Sequence, residues 1–214
     1  IMRNILRHKG YALINLLGLA IGMACCILIL LYVQDEFKYD QYPARHDRIY
    51  RLVTTYSTAD RGERKTAKSA IAWGWMLTEA FPEVEGFTRI KSPLVSWLVG
   101  YPAGRKQFHE PGFYFADPGM LDLFDYKLVA GDAATALNEP NTVVMTETMA
   151  EKYFGDEEPL GKVLRLDNNF NLTVTGVMED VPKHSHMTFG FLGSFETLNA
   201  NAIYGGLNYG NQTQ

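Results

Sequence analysis

Charge is missing from one long stretch of this 214-residue sequence. No Asp, Glu, Lys or Arg occurs between Lys9 and Asp35, and no acidic residue precedes Asp35. Cysteine is nearly absent too, because the two cysteines, Cys25 and Cys26, are adjacent and lie inside the same uncharged stretch. Neighbouring cysteines rarely bridge, so the sequence excludes a disulfide framework for the rest of the chain.

The chain beyond this stretch is mildly acidic. Three of the 20 Lys and Arg residues precede Asp35, which leaves 17 basic against 24 acidic residues, a net charge of −7. This charge argues against nucleic acid as a partner. The sequence also has no low-complexity linker, no coiled-coil heptad run and no clear internal repeat. The 177 residues from Lys38 onward suffice for one domain or two small lobes.

The uncharged stretch has the length of a membrane span. Residues 11–33 would form a helix roughly 34 Å long, enough for a hydrocarbon core of about 30 Å. Twelve of these 23 residues are Leu, Ile or Val. A buried helix of a soluble protein seldom needs so long a run that is apolar on every face. A signal peptide has a shorter apolar region followed by a small-residue cleavage site. The sequence therefore predicts a transmembrane helix.

The charges that flank the helix predict its orientation. Basic residues precede it, and the first acidic residues, Asp35 and Glu36, follow it directly. Since positive flanks stay on the cytoplasmic side, the N-terminus is expected inside and the bulk of the chain outside. We expect a cytoplasmic interfacial segment at 1–10, the span at 11–34 and an exported domain at 35–214. An unstructured basic flank is the alternative for the first segment.

Two glycines on one side of the span suggest contact with another helix. Gly18 and Gly22 are four residues apart, and small residues at this spacing let helices approach closely in a membrane. The alternative is that glycine is simply frequent in membrane helices. We also expect lipid around the span.

Short strand and helix patterns alternate beyond the span. Alternating β-branched and aromatic residues predict a strand over 47–58. A helix is predicted over Ser69–Phe81, with Ser69 as its cap. A short helix is predicted to begin with Asp117 as cap and Pro118 in its first position.

The second half of the domain continues in the same way. A strand is predicted to run into a helix that Thr146 caps and Gly155 closes. A hairpin with its turn at 167–169 follows, and then one more strand within 186–198. We therefore predict an α+β fold, in which one transmembrane helix is followed by a mixed α/β core domain of βα and ββ units in two lobes. Since the sequence ends without a recognisable terminal element, we expect it to be part of a longer chain.

The sequence contains no convincing catalytic or cofactor-binding motif. The segment GDEEPLGKV, residues 155–163, fails as a phosphate-binding loop because five residues separate its glycines and Val163 replaces the required Ser or Thr. We interpret it as a turn. His184 and His186 lack a third ligand in view and fit a solvated loop better than a metal site. No serine lies in a nucleophile elbow.

The three tryptophans could line a ligand groove, but packing in a core is the better interpretation of Trp73, Trp75 and Trp97. We therefore assign no catalytic, cofactor-binding or metal residues and no cofactor.

Three stretches carry a resemblance to a known family. These are LRHKGYALINLLGLAIGMACCILILLYVQDEFKYDQYPARHDRIYRLV, FYFADPGMLDLFDYKLVAGD and NTVVMTETMAEKYFGDEEPLGKVLRLDNNFNLTVTGVMEDVPKHSHMTFGFLGSF. They resemble the permease subunits of ABC transporters of the MacB and FtsX type, in the form common among Bacteroidetes-like bacteria. The resemblance covers nearly the whole chain.

The resemblance implies a bacterial inner-membrane protein with a MacB-like periplasmic core domain after its first span. It implies a separate cytoplasmic ATP-binding subunit as the enzyme, a permease homodimer or a related permease as a partner, and a periplasmic adaptor as a further partner. Movement of the periplasmic domain would export substrate. A single-span sensor with a periplasmic ligand-binding domain is the alternative, and a membrane-anchored periplasmic enzyme is the third option.

Overall fold

The computed structural model describes residues 9–58, 62–93 and 95–200. Helix α1 spans Lys9–Glu36, 28 residues that include the whole uncharged stretch. Every side chain described along α1 is exposed, so the helix is not buried against the rest of the described chain. Among the described residues it is the one helix long and apolar enough to cross a membrane, by length and composition. The structure thus confirms a helix here, while its crossing of a membrane stays a prediction. The segment 1–10 lies almost entirely outside the described residues.

Eleven strands and four short helices make up the described part of the domain. The strands are β1 (Thr54–Thr58), β2 (Gly62–Thr66), β3 (Ile90–Lys91), β4 (Trp97–Tyr101), β5 (Lys106–Glu110), β6 (Phe113–Ala116), β7 (Leu128–Gly131), β8 (Thr142–Thr146), β9 (Val163–Leu166), β10 (Phe170–Met178) and β11 (Phe191–Ser194). The helices are α2 (Trp73–Ala80), α3 (Met120–Leu123), α4 (Glu147–Phe154) and α5 (Glu196–Ala200). A short 3-10 helix spans His46–Arg48.

Nine of the strands form one mixed sheet. Its order is β3-β6-β11-β8-β10-β9-β4-β5, and β7 also pairs with β10. The pairs β8–β10 and β6–β11 are parallel, and the other pairs in this sheet are antiparallel. The remaining two strands, β1 and β2, form a separate antiparallel hairpin. The α+β fold is confirmed. The described residues form this large sheet and a separate hairpin, and the division into two lobes stays a prediction.

The sheet is covered on both faces. Successive residues of a strand point to opposite faces. Val143 and Met145 of β8 accordingly belong to one buried cluster, and Val144 belongs to the other. Helix α4 covers the first face with Tyr153, and α3 covers the second with Met120. Residues of β8 are all buried, as expected for a central strand with two covered faces.

Two predicted boundaries in the first half of the domain are wrong, and one predicted helix cap is wrong as well. The strand expected over 47–58 begins only at Thr54, because residues 46–48 form a 3-10 helix and pairing with β2 starts later. Helix α2 begins at Trp73, and its cap position, Ala72, makes no side-chain hydrogen bond. Its first turn is held by the Trp73 N–H, which donates to the Ala70 carbonyl at 3.2 Å.

Asp117 does not cap α3 with its side chain, because its carboxylate has another partner. It accepts from the Arg89 backbone N–H at 2.7 Å and from the Arg89 guanidinium at 2.6 Å. The cap position of α3 is Gly119, which has no side chain to donate or accept. A buried or half-buried guanidinium needs a carboxylate partner, and this need outweighs a helix cap.

The predictions for the second half of the domain are confirmed. Thr146 Oγ1 accepts from the Met149 N–H at 3.4 Å and thereby caps α4. Gly155 ends α4 at φ +62°. The hairpin between β9 and β10 turns through the three residues 167–169, and Asp167 and Asn168 take positive φ there.

Candidate functional site

The chain passes from α1 into the domain over a very short distance. Helix α1 ends at Glu36, and four residues later the Asp40 N–H donates to the His184 carbonyl at 2.7 Å. Asp40 takes a positive φ of 57°, which turns the chain sharply at this point. We define the junction as residues 35–45 together with the loops at 122–126 and 182–187 that they contact.

Two histidines of the second loop face carboxylates of the chain that leaves α1. The backbone N–H of His186 donates to Asp40 Oδ1 at 3.0 Å, and its ring Nδ1 lies 2.8 Å from Asp40 Oδ2. The ring Nδ1 of His184 lies 3.7 Å from Asp35 Oδ1. One pair therefore reaches the last turn of α1 itself, and the other reaches the turn that follows it.

A pair of tyrosines forms the buried part of the junction. The hydroxyls of Tyr42 and Tyr126 lie 2.7 Å apart, and their ring centroids are 5.9 Å apart. Burial, followed by the hydrogen bond with Tyr42, raises the pKa of the Tyr126 hydroxyl far above its ordinary value. The hydroxyl therefore stays protonated and can donate. Ser185, which is fully buried, also forms a hydrogen bond with Tyr126.

The first loop holds the next residues of the chain. The Ala44 N–H donates to Asp125 Oδ2 at 2.6 Å, and the Arg45 guanidinium lies 3.0 Å from Asp122 Oδ2. The Arg45 pair is exposed, and such pairs contribute little free energy. The backbone bond at Ala44 is more informative because it fixes the path of the chain.

Taken together, these contacts attach the chain to two loops within ten residues of the end of α1. A connection with this many short-range bonds has little slack, unlike a flexible linker, whose ends fluctuate independently. Sequence reasoning missed these contacts, because the partners lie 77 to 149 positions apart in the chain. The paired carboxylates and histidines are ordinary surface residue types, so no local pattern marks them.

The structure changes the interpretation of His184 and His186. They were predicted to lie in a solvated loop, and both are in fact partly exposed but paired with carboxylates. No group of three or more His, Cys, Asp or Glu side chains is arranged to hold a metal ion within the described residues. The histidines therefore act as contacts of the junction.

Gly18 and Gly22 of α1 have open space beside them among the described residues. A Cβ added at Gly18 or Gly22 would have no heavy atom within 4 Å. The prediction that these glycines pack against another helix stays a prediction. Cys25 and Cys26 are free and exposed.

The segment 155–163 is the turn that the sequence predicts, between α4 and β9. Its lysine, Lys162, is paired with Glu157 and lies 3.3 Å from the Tyr101 hydroxyl. The bond from Lys162 holds the pKa of Glu157 below its usual value, and the same bond raises the pKa of Lys162. The lysine thus serves the fold at this turn.

The tryptophan prediction holds for one residue of three. Trp97 is buried in the core, against Phe115 at 6.0 Å between ring centroids. Trp73 and Trp75 are 37% and 40% exposed and lie on α2. Trp75 packs edge-on against Phe87 at 5.7 Å.

A groove of about 550 Å³ opens beside the second junction loop. Its walls include Tyr114, Met149 and Phe189. Both carboxylates that line it are bound within the protein. Glu110 accepts from Lys152 at 2.6 Å and from Tyr153 at 2.8 Å, and Asp180 accepts from the Thr148 hydroxyl at 2.5 Å. These acids stabilise the fold, and neither is directed at a ligand.

The fold and the junction define a mixed α/β domain that is carried at the end of an apolar N-terminal helix. The chain belongs to the family of the MacB-like periplasmic core domain, whose model matches residues 12–213. It is thus a MacB-like core domain that follows one apolar helix.

The solved structures that are similar to this chain include the following two. A domain of a protein named as a permease from Porphyromonas gingivalis is 24% identical over 71% of this chain and 63% of that one, with a TM-score of 0.58. The periplasmic region of MacB from Actinobacillus actinomycetemcomitans is 22% identical over 65% of this chain and 60% of that one, with a TM-score of 0.50. At these identities the likeness shows the fold alone. A search of curated proteins finds no match.

The chain spans about 60% of the length of both solved structures.

Proposed function

We propose that this chain is the first span and part of the periplasmic domain of an ABC transporter permease, and that the junction passes movement of the span to the domain. ATP hydrolysis by a cytoplasmic partner subunit would displace the span. The displaced domain would then move substrate outside the membrane, without a channel through it. The observation that carries this proposal is the set of bonds within ten residues of α1.

The junction is held by backbone hydrogen bonds and by a pair of tyrosine hydroxyls, and both kinds of contact can transmit movement. The Asp40 and Ala44 backbone N–H groups bind the two loops, so the path of the main chain is fixed at two points. The tyrosine hydroxyl pair is half-buried and less exposed to competition from water than a surface ion pair. A displacement of the end of α1 would therefore shift both loops and the sheet strands that they connect.

The same proposal fixes the topology. Residues 1–10 would lie at the cytoplasmic face of the bacterial inner membrane, 11–34 would cross it and 35–214 would lie in the periplasm. The basic flank before the span and the acidic flank after it support this orientation. The catalytic work of ATP hydrolysis would belong to the partner subunit.

The partners follow from the same reasoning. The exposed face of α1 that carries Gly18 and Gly22 would contact lipid and a helix of a second permease, either a homodimer partner or a related permease. A periplasmic adaptor is a further partner that the family suggests.

Insertion of a flexible segment tests the coupling. The full permease and its ATPase are reconstituted in nanodiscs, with native cysteines replaced and a spin label at Glu151→Cys on α4. We expect ATP to change the distance between the labels of the two permease subunits. A Gly-Ser-Gly-Ser insertion after Asp35 should abolish this change while ATPase activity and assembly persist.

The matched control is the same insertion after Ala103, in the exposed turn between β4 and β5. It lengthens the chain equally but leaves the junction intact, so the ATP-dependent change should remain. An unchanged response after the junction insertion would contradict the proposal.

A further inference from the structure

The two histidine–carboxylate pairs of the junction share one arrangement. In each pair the carboxylate belongs to the chain leaving α1 and the imidazole belongs to the loop at 182–187. The side chains are between 42% and 66% exposed, so protons from the solvent reach all four groups.

The pairs respond differently to the charge of the ring. His186 lies within hydrogen-bond distance of Asp40 at 2.8 Å, so a neutral ring can already donate its Nδ1–H. His184 is 3.7 Å from Asp35, which is beyond a hydrogen bond, so this pair attracts only when the ring is protonated. Asp35 lies in the last turn of α1, where the helix dipole favours a neighbouring cation.

Other ionisable groups near the junction belong to several elements. Glu36 and Lys38 flank Asp35 in the chain, and Lys183 precedes His184 in the loop. On the buried side, the negative charge of Asp40 adds to the rise in the pKa of the Tyr126 hydroxyl. A third histidine, His46, directs its Nδ1 toward the Pro43 carbonyl at 3.1 Å and forms no ion pair among the described residues.

We infer that the junction is a pH-responsive latch, which mild acidification of the periplasm tightens. Histidine side chains gain a proton between about pH 8 and pH 5, whereas aspartates stay ionised down to about pH 4. When the rings carry a charge, both pairs are ion pairs. When the rings are neutral, the His184 pair has no attraction and the His186 pair keeps only a neutral hydrogen bond.

The consequence for transport rests on the proposed function, while the latch itself does not. If the junction transmits movement, a tighter junction transmits more of it at acidic pH. The latch is therefore tested on this chain alone, without ATPase or substrate, so a failed latch and a failed coupling proposal give separate results.

Backbone hydrogen exchange measures the opening of the junction. The chain in phosphatidylcholine nanodiscs is exchanged at pH 5.5 and pH 7.8, and the rates are corrected for intrinsic exchange. We expect the amides of Asp40 and His186 to exchange about threefold to tenfold more slowly at pH 5.5. The double variant His184→Gln, His186→Gln should exchange equally at both pH values after correction.

Two controls distinguish the pairs from general effects of pH. His46→Gln removes a histidine of the same region that faces no carboxylate, and it should retain the wild-type pH response. Asp35→Asn removes the charge from the pair that attracts only when its ring is protonated, so it should lose most of the response. Equal corrected rates at both pH values in the wild type, or a full response in the histidine double variant, would overturn the inference.

Discussion

The hydroxyl groups of Tyr42 and Tyr126 lie 2.7 Å apart, although 84 positions separate the two residues. This contact attaches the segment that follows the apolar helix to the second buried cluster of the domain. The span and the domain are therefore linked through the protein core as well as through surface loops.

Loss of one hydroxyl of this pair should weaken the fold. Tyr42→Phe removes this partner of the buried Tyr126 hydroxyl, so we expect the free energy of unfolding to fall by about 1 kcal/mol. Tyr126→Phe should have a similar effect, and the double variant should cost less than the sum of the two. Denaturant unfolding of the chain in detergent measures all three. Tyr50→Phe is the control, because Tyr50 is 87% exposed and its loss should change nothing measurable. Additive effects would argue against a coupled pair.

The pairing of β7 with β10 depends on a glycine. Gly131 has φ +94°, and a Cβ there would lie 2.4 Å from the Thr175 carbonyl oxygen. Gly131→Ala should therefore cost about 3 kcal/mol of unfolding free energy. Gly86→Ala is the matched control, since a Cβ there meets nothing within 4 Å and its effect should stay within about 0.5 kcal/mol. Equal stability of the two variants would contradict the close contact between Gly131 and the Thr175 carbonyl.

Alkaline conditions should destabilise the domain. Burial, followed by the hydrogen bond to Glu110, raises the pKa of Tyr153 well above its ordinary value. The unfolded tyrosine loses its proton near pH 10, whereas the folded one keeps it. The stabilisation is thus complete below about pH 10 and is lost as pH rises. Tyr153→Phe should reduce the loss of stability between pH 9 and pH 11, and an unchanged slope would contradict this assignment.

Acid should remove a different contribution. The Thr148 hydroxyl donates to Asp180 and holds the pKa of that carboxyl below its usual value. This stabilisation is present above about pH 4 and is lost as pH falls through the lowered pKa of the folded state. Asp180→Ala should cost about 1 kcal/mol at pH 7 and less at pH 3. Glu83→Ala, at an exposed surface position, should cost little at either pH. A pH-independent cost for Asp180→Ala would exclude the carboxylate charge as its source.

Local signals in the sequence were sufficient where the chain interacts with itself over short distances. The apolar length of α1, the Thr146 cap, the Gly155 helix end and the turn at 167–169 were all predicted correctly, since each depends on neighbouring residues.

Contacts between distant residues could not be predicted in this way. Asp117 has the pattern of a helix cap, but its carboxylate is bound by Arg89, 28 positions away. The strand predicted from residue 47 starts later because its pairing with β2 begins only at Thr54, which pairs with Thr66. The junction depends entirely on such distant pairs, so sequence patterns gave no sign of it.

Labelling of single cysteines from outside the membrane tests the central claim most directly, that the apolar helix crosses the membrane and the domain lies outside. In a Cys25→Ala, Cys26→Ala background, Ser57→Cys places a thiol in the exposed hairpin and Arg3→Cys places one before the span. A membrane-impermeant maleimide added to intact spheroplasts should label Ser57→Cys at once and Arg3→Cys only after permeabilisation. Labelling of the Arg3→Cys variant in intact spheroplasts, or protection of Ser57→Cys until permeabilisation, would contradict the account.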